Sequence, residues 1–303
     1  MGNSLSCSVI VPTYNRRELL RHTLVSLTMQ SLPRERFEVL VVDDGSSDGT
    51  PAVVEEFRDV LNLRYFYQAD DGFQVSKARN VAISRAEAPV CVFVDTGVLL
   101  HSGCLAAHLD SHESAPGPVA VIGYIYGFDP VRTDSEPVRR AVDPSSPDAT
   151  VEVMRANGWL DVREHFYARY TDAFGDEPAP WLVYWTGNAS ARTEQLRAVG
   201  MFDEAFRQWG GEDVDLGFRL HLAGARIVLN REAKSVHVPH ETSFDDNMES
   251  SSTNLRYMAE KYGTPIVGLF AETPPEQVFD LNTVIRARGL PRCADFLARH
   301  AVD

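Results

Sequence analysis

The sequence predicts an α/β protein built on a mostly parallel central sheet with helices on both faces. Three apolar runs, at positions 7–11, 37–42 and 90–94, are too continuous for strands that expose one face to water. Segments with helical periodicity separate these runs along the chain. Such an alternation is typical of a doubly wound sheet, which binds nucleotides beyond the carboxyl ends of its strands.

The first part of the chain supplies the elements of this sheet in order. Residues 17–30 and 74–86 each place their apolar side chains on one helical face. Thr50 and Pro51 occupy the cap and first-turn positions of a short helix, and residues 63–67 add a strand. These elements together predict a nucleotide-binding half.

The second part of the chain is less regular. Residues 129–148 contain four prolines and many charged or small polar residues, so we expect an exposed loop there. Further elements are predicted from periodicity and from the glycines and prolines that end helices. They are helices at 159–173, 193–199, 212–223, 254–262 and 277–288, and strands at 226–229 and 235–238.

Composition and charge disfavour several classes of partner. The 303 residues, 44% of them hydrophobic, suffice for a large core. The formal net charge of -14 disfavours binding to nucleic acid or to an anionic membrane surface. The four cysteines lack the spacing of metal ligands, and we expect buried thiols. No segment of the sequence approaches the roughly 18 to 20 apolar residues of a membrane span, so we expect a cytoplasmic protein without an integral membrane segment.

Polar residues follow four predicted strands at the edge where a parallel sheet binds ligands. The strand ends are followed by residues 12–16, by the aspartate pairs at 43–44 and 70–71, and by Asp95. One aspartate after a strand is common, because aspartate often begins a turn, but four such ends together indicate a binding site. A carboxylate there is able to accept hydrogen bonds from a nucleoside.

Five segments of the chain resemble the motifs of one enzyme family. They read SVIVPTYNR, VLVVDDGSSDGT, DDGFQVSKARNVAI, VFVDTG and FRQWGGEDVDLGFRL. Over residues 6–240 they resemble family 2 glycosyltransferases with the GT-A fold. The third and last segments are also similar to the transferase domains of bacterial chondroitin-type polymerases, and the last to the WGGED pattern of β-galactosyltransferases. The resemblance implies a Rossmann-like sheet with a donor-binding half at 1–115, an acceptor-binding and catalytic half at 116–240, and a helical C-terminal extension at 241–303.

The resemblance implies a binding site for a nucleotide sugar. Pro12, Tyr14 and Asp44 would hold the nucleoside, taken to be uridine. Gln74 and Arg79 would lie near the diphosphate or the donor sugar. Arg79 has an alternative role, in which it braces a helix on the sheet.

The metal motif of the family is altered in this chain. Asp95 matches the first carboxylate of the DxD motif, which binds a divalent cation, but the sequence here reads DTG. Gly97 has no side chain to bind a metal, so the site loses one carboxylate. The resemblance makes His237 a second ligand for Mn²⁺ or Mg²⁺, with His240 as the next choice. The alternative is a solvated histidine pair at the end of a strand.

Two carboxylates are predicted to begin a helix at the mouth of the sheet. Glu212 and Asp213 stand in its first turn, and we expect both to be ionised at neutral pH. Attack on an anomeric carbon needs a base that removes the acceptor's proton, and we assign this role to Asp213. Glu212 or Asp215 would orient acceptor hydroxyls. The alternative is that these residues only favour the start of a helix.

Residues near this helix are candidates for contact with the sugar or the acceptor. Trp209 offers a flat apolar face to a sugar ring, and Gly211 permits close approach of the backbone to a ligand. In the segment WLVYWTGNAS, Trp185 and Asn188 resemble family residues that reach the donor sugar and the acceptor. Core packing is an equal alternative for Trp185.

The resulting prediction is an inverting glycosyltransferase that moves a sugar from a nucleotide diphosphate sugar, a UDP-sugar, to an acceptor hydroxyl. Two alternatives stay open. A catalytically silent nucleotide-sugar binding module would explain the DTG sequence, and a sugar nucleotidyltransferase would use a similar sheet. The latter is disfavoured because PTYNRR follows the first strand in place of a glycine-rich loop. The acceptor is not predicted, because loops and surfaces select it.

Overall fold

An eight-stranded sheet forms the centre of the computed structural model, which describes residues 4–129, 135–240 and 244–300. Its strands are β1 (Cys7–Thr13), β2 (Phe37–Asp43), β3 (Leu63–Tyr67), β4 (Val90–Val94), β5 (Val98–Leu100), β6 (Val119–Tyr126), β7 (Asn188–Arg192) and β8 (Arg226–His237). Across the sheet their order is β3-β2-β1-β4-β7-β6-β8-β5.

Parallel pairing on one side of the sheet agrees with the predicted doubly wound arrangement. β1 is parallel to both of its neighbours, β2 and β4, and β3 continues in parallel beyond β2. β7 lies antiparallel between β4 and β6, while β6 and β8 are parallel to each other. The short β5 pairs antiparallel with the end of β8. The carboxyl ends of β1, β2 and β4 therefore share one edge.

Helices cover both faces of the sheet. They are α1 (Arg17–Thr28), α2 (Thr50–Glu56), α3 (Val75–Arg85), α4 (Cys104–Ser114), α5 (Glu136–Ala141), α6 (Pro147–Ala156), α7 (Glu164–Tyr170), α8 (Thr193–Ala198), α9 (Glu212–Leu222), α10 (Phe244–Tyr262), α11 (Pro265–Glu272), α12 (Leu281–Ala287) and α13 (Cys293–His300). Short 3-10 turns lie at Arg34–Arg36, Phe174–Asp176, Pro180–Val183 and Pro275–Asp280. Ile10 of β1 packs with side chains of α3, whereas Val9 and Val11 pack with α1 and α2. Burial on both faces explains the unbroken apolar sequences of these strands.

Several elements differ from the sequence-based expectation. The region 129–148 contains α5 and the start of α6 instead of one long loop, and residues 130–134 lie outside the described ranges. The helix expected at 159–173 forms only as α7. The strands expected at 226–229 and 235–238 are one strand, β8, because a register shift between Gly123 and Tyr124, in the middle of β6, lets the pairing continue.

The C-terminal residues pack as helices against α9. Val214 and Phe218 of α9 share a core cluster with Met258 of α10 and Ile266 of α11. The helix expected at 277–288 begins as a 3-10 turn and continues as α12. The division of the chain into donor-binding, acceptor-binding and C-terminal parts stays a prediction.

Two expectations from composition concern cysteines and membrane spans. All four cysteines are buried free thiols. Among the described residues, none of the helices combines the length and apolar character needed to cross a membrane. The expected cytoplasmic location stays a prediction.

Gly123 lies at a crowded point of the sheet, and its replacement tests this packing. A Cβ atom there would stand 2.2 Å from Nδ2 of Asn188 and 2.6 Å from the carbonyl oxygen of Ala233, in two buried residues. Gly123→Ala is expected to lower the free energy of unfolding by about 1–3 kcal/mol, because overpacking displaces the strands. Urea denaturation measures this change.

Gly268→Ala is the matched control, in α11. A Cβ atom at this position would meet nothing within 4 Å among the described residues outside its own helical backbone. Alanine favours a helix interior over glycine by up to about 1 kcal/mol, so the control should keep or gain stability. Equal losses in the two variants would contradict the crowding at Gly123.

Candidate active site

Arg79 is a buried guanidinium that joins two acidic segments at the sheet edge. It lies in α3 and is 3% exposed. Its Nη2 donates to Oδ1 of Asp95, just after β4, over 2.9 Å, and its Nη1 donates to Oε1 of Glu212, at the start of α9, over 3.0 Å. Burial acts to lower the pKa of Arg79, but the adjacent carboxylates outweigh burial and the pKa is raised. The structure thus brings three predicted site residues together around a permanent positive charge.

Asp213 stands beside this ion pair and titrates near neutral pH. Its Oδ1 accepts a hydrogen bond from the backbone N of Val214 at 2.8 Å, and its Oδ2 accepts one from the backbone N of Thr186 at 3.4 Å. Burial and the negative charge of Glu212 raise the pKa of Asp213 to about 7, against the opposing effect of Arg79. The raised pKa makes Asp213 a stronger base than an exposed aspartate. A pKa near the working pH suits a general base.

Buried polar atoms without a hydrogen-bond partner occur at several places in the described part of the chain, and three of them belong to residues beside Asp213. They are Nε of Arg79, Oγ1 of Thr186 and Oε2 of Glu212. Nε2 of Gln74, next to Asp44, is also unpaired. Buried polar groups in native proteins are nearly always paired, so these atoms are available to bind a ligand. This edge of the sheet is therefore the candidate active site.

The residues predicted to hold a nucleoside lie around the ends of β1 and β2. Asp44 is buried and accepts a hydrogen bond from the backbone N of Gln74 at 2.9 Å. Burial raises the pKa of Asp44, although its hydrogen bonds act in the opposite direction. Tyr14 is 45% exposed, and its hydroxyl donates to Oδ2 of Asp70 over 2.9 Å. Pro12 is buried at the end of β1, so these three predicted residues lie around the same strand ends, with Gln74 next to Asp44.

Strand pairing brings the predicted metal ligands to another side of the site. β5 begins at Val98, shortly after Asp95, and Val98 lies opposite His237. The ring centroids of His237 and His240 are 5.1 Å apart. Burial, and then His240 and Arg16, lower the pKa of His237 to about 3; the pKa of His240 is lowered mainly by burial. Both rings are therefore neutral at pH 7, which is the form that binds metals.

The set of metal donors in this region is small. His240 donates through Nδ1 to the carbonyl oxygen of Val238 at 3.1 Å, which leaves its Nε2 as an acceptor. Across residues 4–129, 135–240 and 244–300, no group of three or more His, Cys, Asp or Glu side chains is arranged to hold a metal ion. A cation at Asp95 and His237 would therefore need further oxygen ligands from a bound diphosphate.

Arg16 is a cation at the site to which the sequence analysis assigned no role. Burial lowers the pKa of Arg16 whereas Asp95 raises it, and Arg16 in turn lowers the pKa values of His237 and His240. The charge of Arg16 therefore acts on all three side chains. The available signal was the segment PTYNRR, which puts an arginine between the first strand end and α1.

The aromatic and glycine residues predicted on the acceptor side take different positions. The ring centroid of Trp185 lies 6.0 Å from that of Phe128 and 6.2 Å from that of Phe279, so core packing covers part of its surface. Trp209 is 39% exposed, and Gly211 precedes α9 in a left-handed conformation with φ of 96°. Trp209 is therefore the more accessible surface for a sugar ring.

Asn188 lies outside the site. It is fully buried at the start of β7, and its Nδ2 donates to the carbonyl oxygen of Ala233 at 2.8 Å and to Oγ of Ser235 at 3.0 Å. Its Oδ1 accepts from Nε2 of His108 at 2.8 Å. These contacts make Asn188 a link between β7, β8 and α4, in place of the predicted contact with sugar or acceptor.

Asp215 is also turned away from the site. Its buried carboxylate accepts hydrogen bonds from Arg219 at 2.8 Å, from Lys261 at 2.8 Å and from Tyr262 at 2.6 Å. Two residues along an α-helix correspond to a rotation of about 200°, so Asp215 faces the C-terminal helices when Asp213 faces the site. We therefore replace the predicted acceptor contact of Asp215 with a role in attaching α10 to α9.

Comparisons with known proteins agree with this geometry. The family model described as glycosyl transferase family 2 matches residues 8–170, and that described as the N-terminal domain of galactosyltransferase matches residues 173–241. A validoxylamine A glucosyltransferase of Streptomyces hygroscopicus subsp. jinggangensis is 36% identical over 264 residues, which cover 87% of this chain and 62% of that protein. The chain therefore spans less than two thirds of the length of this relative.

Two solved structures share the fold. One is S. aureus TarS 1-349 in complex with UDP-GlcNAc, with a TM-score of 0.58 and 23% identity over 84% of this chain and 67% of that chain. The other is the mannosyltransferase PcManGT from Pyrobaculum calidifontis in complex with GDP-Man and Mn²⁺, with a TM-score of 0.63 and 18% identity over 98% of this chain and 80% of that chain. At these identities the likeness shows the fold alone, and it confirms the predicted GT-A class.

Removal of Arg79 is expected to destabilise the protein strongly. Arg79→Met replaces the charged side chain by an unbranched apolar one. It leaves the Glu212 side chain, which is 9% exposed, without its counter-charge. Breaking a buried ion pair by removing one partner costs about 3–5 kcal/mol of folding free energy. Urea denaturation at neutral pH measures the loss.

Arg58→Met is the matched control, because Arg58 forms an exposed ion pair with Glu55. Exposed pairs contribute about 0–1 kcal/mol, so this variant should keep nearly full stability. A small effect of equal size in both variants would show that Arg79 does not hold the two acidic segments together.

Proposed function

The chain belongs to glycosyl transferase family 2, and from that premise we propose that it is an inverting glycosyltransferase that uses a UDP-sugar. It moves the sugar to an acceptor hydroxyl in a single displacement. Two findings support this proposal: a relative at 36% identity is named a glucosyltransferase, and TarS was solved in complex with UDP-GlcNAc.

The observation that carries the proposal is the placement of Asp213. An acceptor hydroxyl becomes a good nucleophile only when a base removes its proton as the new bond forms. Asp213 lies at the sheet edge beside the unpaired polar atoms of Thr186 and Glu212, and its pKa is raised to about 7. It is therefore basic enough to take the proton and is substantially ionised at neutral pH.

The displacement forms one bond at the anomeric carbon and breaks another. The acceptor oxygen bonds to the anomeric carbon while the bond between that carbon and the diphosphate oxygen breaks. The proton moves to Asp213, and the electron pair of the broken bond leaves with the nucleoside diphosphate. Attack opposite the leaving group inverts the configuration, so an α-linked donor gives a β-linked product.

The donor binds along the ends of β1 and β2 in this proposal. Pro12, Tyr14 and Asp44 hold the uridine, with the exposed ring of Tyr14 offering a stacking surface. The unpaired Nε2 of Gln74 donates to an oxygen of the diphosphate or the donor sugar. Because Arg79 is committed to two carboxylates, Arg16 is the guanidinium we assign to the leaving diphosphate.

A divalent cation, Mn²⁺ or Mg²⁺, fits this site when it binds together with the diphosphate. Asp95 supplies a carboxylate and His237 a neutral imidazole, with His240 as the alternative, and phosphate oxygens complete the ligand set. Such a cation would neutralise charge on the leaving group. The Mn²⁺ in the complex of the structurally similar mannosyltransferase supports its presence.

The acceptor side is formed by Glu212, which orients a hydroxyl through its unpaired Oε2, and by Trp209 with Gly211. Trp185 adds a partly buried aromatic wall. The relative at 36% identity is named for validoxylamine A, so small polyhydroxylated molecules are the first acceptors to test.

A catalytically silent binding module is the second candidate function. The observation that favours it is Gly97 at the position of the second metal-binding carboxylate. Such a module would bind a UDP-sugar without cleaving it. A transferase would cleave the UDP-sugar and release UDP.

Asp213→Asn is expected to abolish transfer. The amide has the same size but accepts no proton, and loss of a general base lowers the rate about 10²–10⁴-fold. Turnover is measured as UDP release from a panel of UDP-sugars with validoxylamine-type acceptors. In the unmodified protein, activity should fall as the pH drops through about 7, because the base must be deprotonated.

Asp59→Asn is the matched control and should keep full activity. Asp59 is exposed and lies just before the amino end of β3, whereas the site lies at the carboxyl ends of the parallel strands. Binding of UDP by Asp213→Asn, measured by calorimetry, should be nearly unchanged. Full turnover by Asp213→Asn would refute the assignment of the base.

His237→Ala tests the proposed cation. In the unmodified protein, saturating Mn²⁺ should tighten UDP binding by about tenfold or more, equivalent to about 1.4 kcal/mol, because Asp95 and His237 would hold a positive charge that attracts the diphosphate. His237→Ala should lose this gain while keeping its metal-free affinity for UDP. Calorimetric titration of UDP with Mn²⁺ and with a chelator measures both values, and identical affinities in the unmodified protein would refute the cation site.

A further inference from the structure

The two glycines before α9 adopt a conformation that few other residues reach. Gly210 and Gly211 have φ values of 88° and 96°, in the left-handed region. The turn that they form leads directly into Glu212 and Asp213. The position of this turn therefore sets the positions of both carboxylates.

Helix α10 packs closely over this turn. A Cβ atom on Gly210 would stand 3.2 Å from Cβ of Ser251, and one on Gly211 would stand 3.4 Å from Cβ of Asn254. Packing against α10 therefore leaves little room for a side chain at Gly210, whereas at Gly211 the positive φ is what favours glycine. The sequence motif alone explains Gly211 by the approach of a ligand, because the position of α10 over the turn is visible only in the fold.

Asn254 bonds to the backbone of the same turn. Its Nδ2 donates to the carbonyl oxygens of Gly210 at 2.6 Å and Gln208 at 3.1 Å, with a longer contact of 3.4 Å to that of Trp209. Asn254 is buried, so water competes little for these bonds. One amide that bonds several carbonyls of a turn restricts that turn to one conformation.

Contacts further along α10 hold Asn254 in place. Lys261 donates to Asp203 and to Asp215, both at 2.8 Å. Tyr257 donates to Asp203 at 2.8 Å, and Tyr262 donates to Asp215 at 2.6 Å. The helix is therefore attached both to α9 and to the loop before it, on either side of the turn.

We propose that Asn254 is a positioning residue of the transferase site, which fixes the turn at 208–211 and thereby the place of Asp213 against Thr186. This inference rests on the proposed function, in which Asp213 is the base. The matched family models end at residue 241, so the role comes from a part of the chain beyond them. Without the amide the turn gains freedom, and a displacement of about 1 Å in a catalytic group lowers the rate about 100-fold.

Asn254→Asp tests the proposal, because it replaces the donating amide by an oxygen of the same size that repels the carbonyls. We expect kcat to fall about 10- to 100-fold. The acid limb of the kcat profile should move to lower pH, since a looser turn admits water to Asp213 and lowers its pKa. The Kd for UDP, measured by calorimetry, should stay within about twofold, because the nucleoside residues lie on other elements.

Two further variants support this experiment. Ser252→Asp places the same added charge on the exposed face of α10 and should leave kcat and its pH profile unchanged. Asn254→Ala removes the donor without adding a repelling oxygen, and it replaces Asn254→Asp if that variant does not fold.

The outcomes separate the inference from the function on which it rests. Unchanged kcat and an unchanged acid limb in the Asn254 variants, with Asp213→Asn inactive, would overturn the positioning role. Loss of UDP binding in parallel with kcat would also overturn it, because the effect would then be general. Full activity of Asp213→Asn would instead refute the proposed function.

Discussion

The ion pairs of Arg79 connect the sheet to the helix that carries the candidate catalytic carboxylates. Arg79 lies in α3, and its guanidinium donates hydrogen bonds to Asp95 after β4 and to Glu212 at the start of α9. Glu212 has little contact with water, so its charge is tolerated because Arg79 compensates it. Glu212 in turn raises the pKa of Asp213. One buried cation thus links the geometry of the sheet to the basicity of the carboxylate beside it.

The carboxyl groups around Arg79 outnumber its single positive charge. Asp95, Glu212 and Asp213 are three carboxyl groups around one guanidinium, which is one reason why the pKa of Asp213 is raised. A diphosphate adds further negative charge, and the protein as a whole carries a net charge of -14. Additional positive charge on the donor side is therefore needed. In the proposed function, Arg16 and a cation bound with the donor would supply it.

The sequence predicted the sheet edge and most of the residues gathered there, because buried parallel strands and the motifs after them are local patterns. Arg16 was missed because its role depends on Asp95 and the two histidines, which are distant in sequence. Asp215 was misplaced, although helical geometry alone puts it about 200° from Asp213. Asn188 was misplaced for another reason: its partner His108 lies in α4, which the sequence analysis did not predict.

The turn before α9 shows why a motif alone does not explain its own residues. In isolation, WGGED pairs an aromatic ring with glycines that permit a ligand to approach. In the fold, the same glycines lie against Ser251 and Asn254 of α10, and a Cβ on Gly210 would crowd Ser251. A left-handed turn is costly for residues with a side chain, and it is flexible for glycine unless something restrains it. The glycines therefore provide the required shape, while the amide of Asn254 provides the rigidity that a catalytic carboxylate needs.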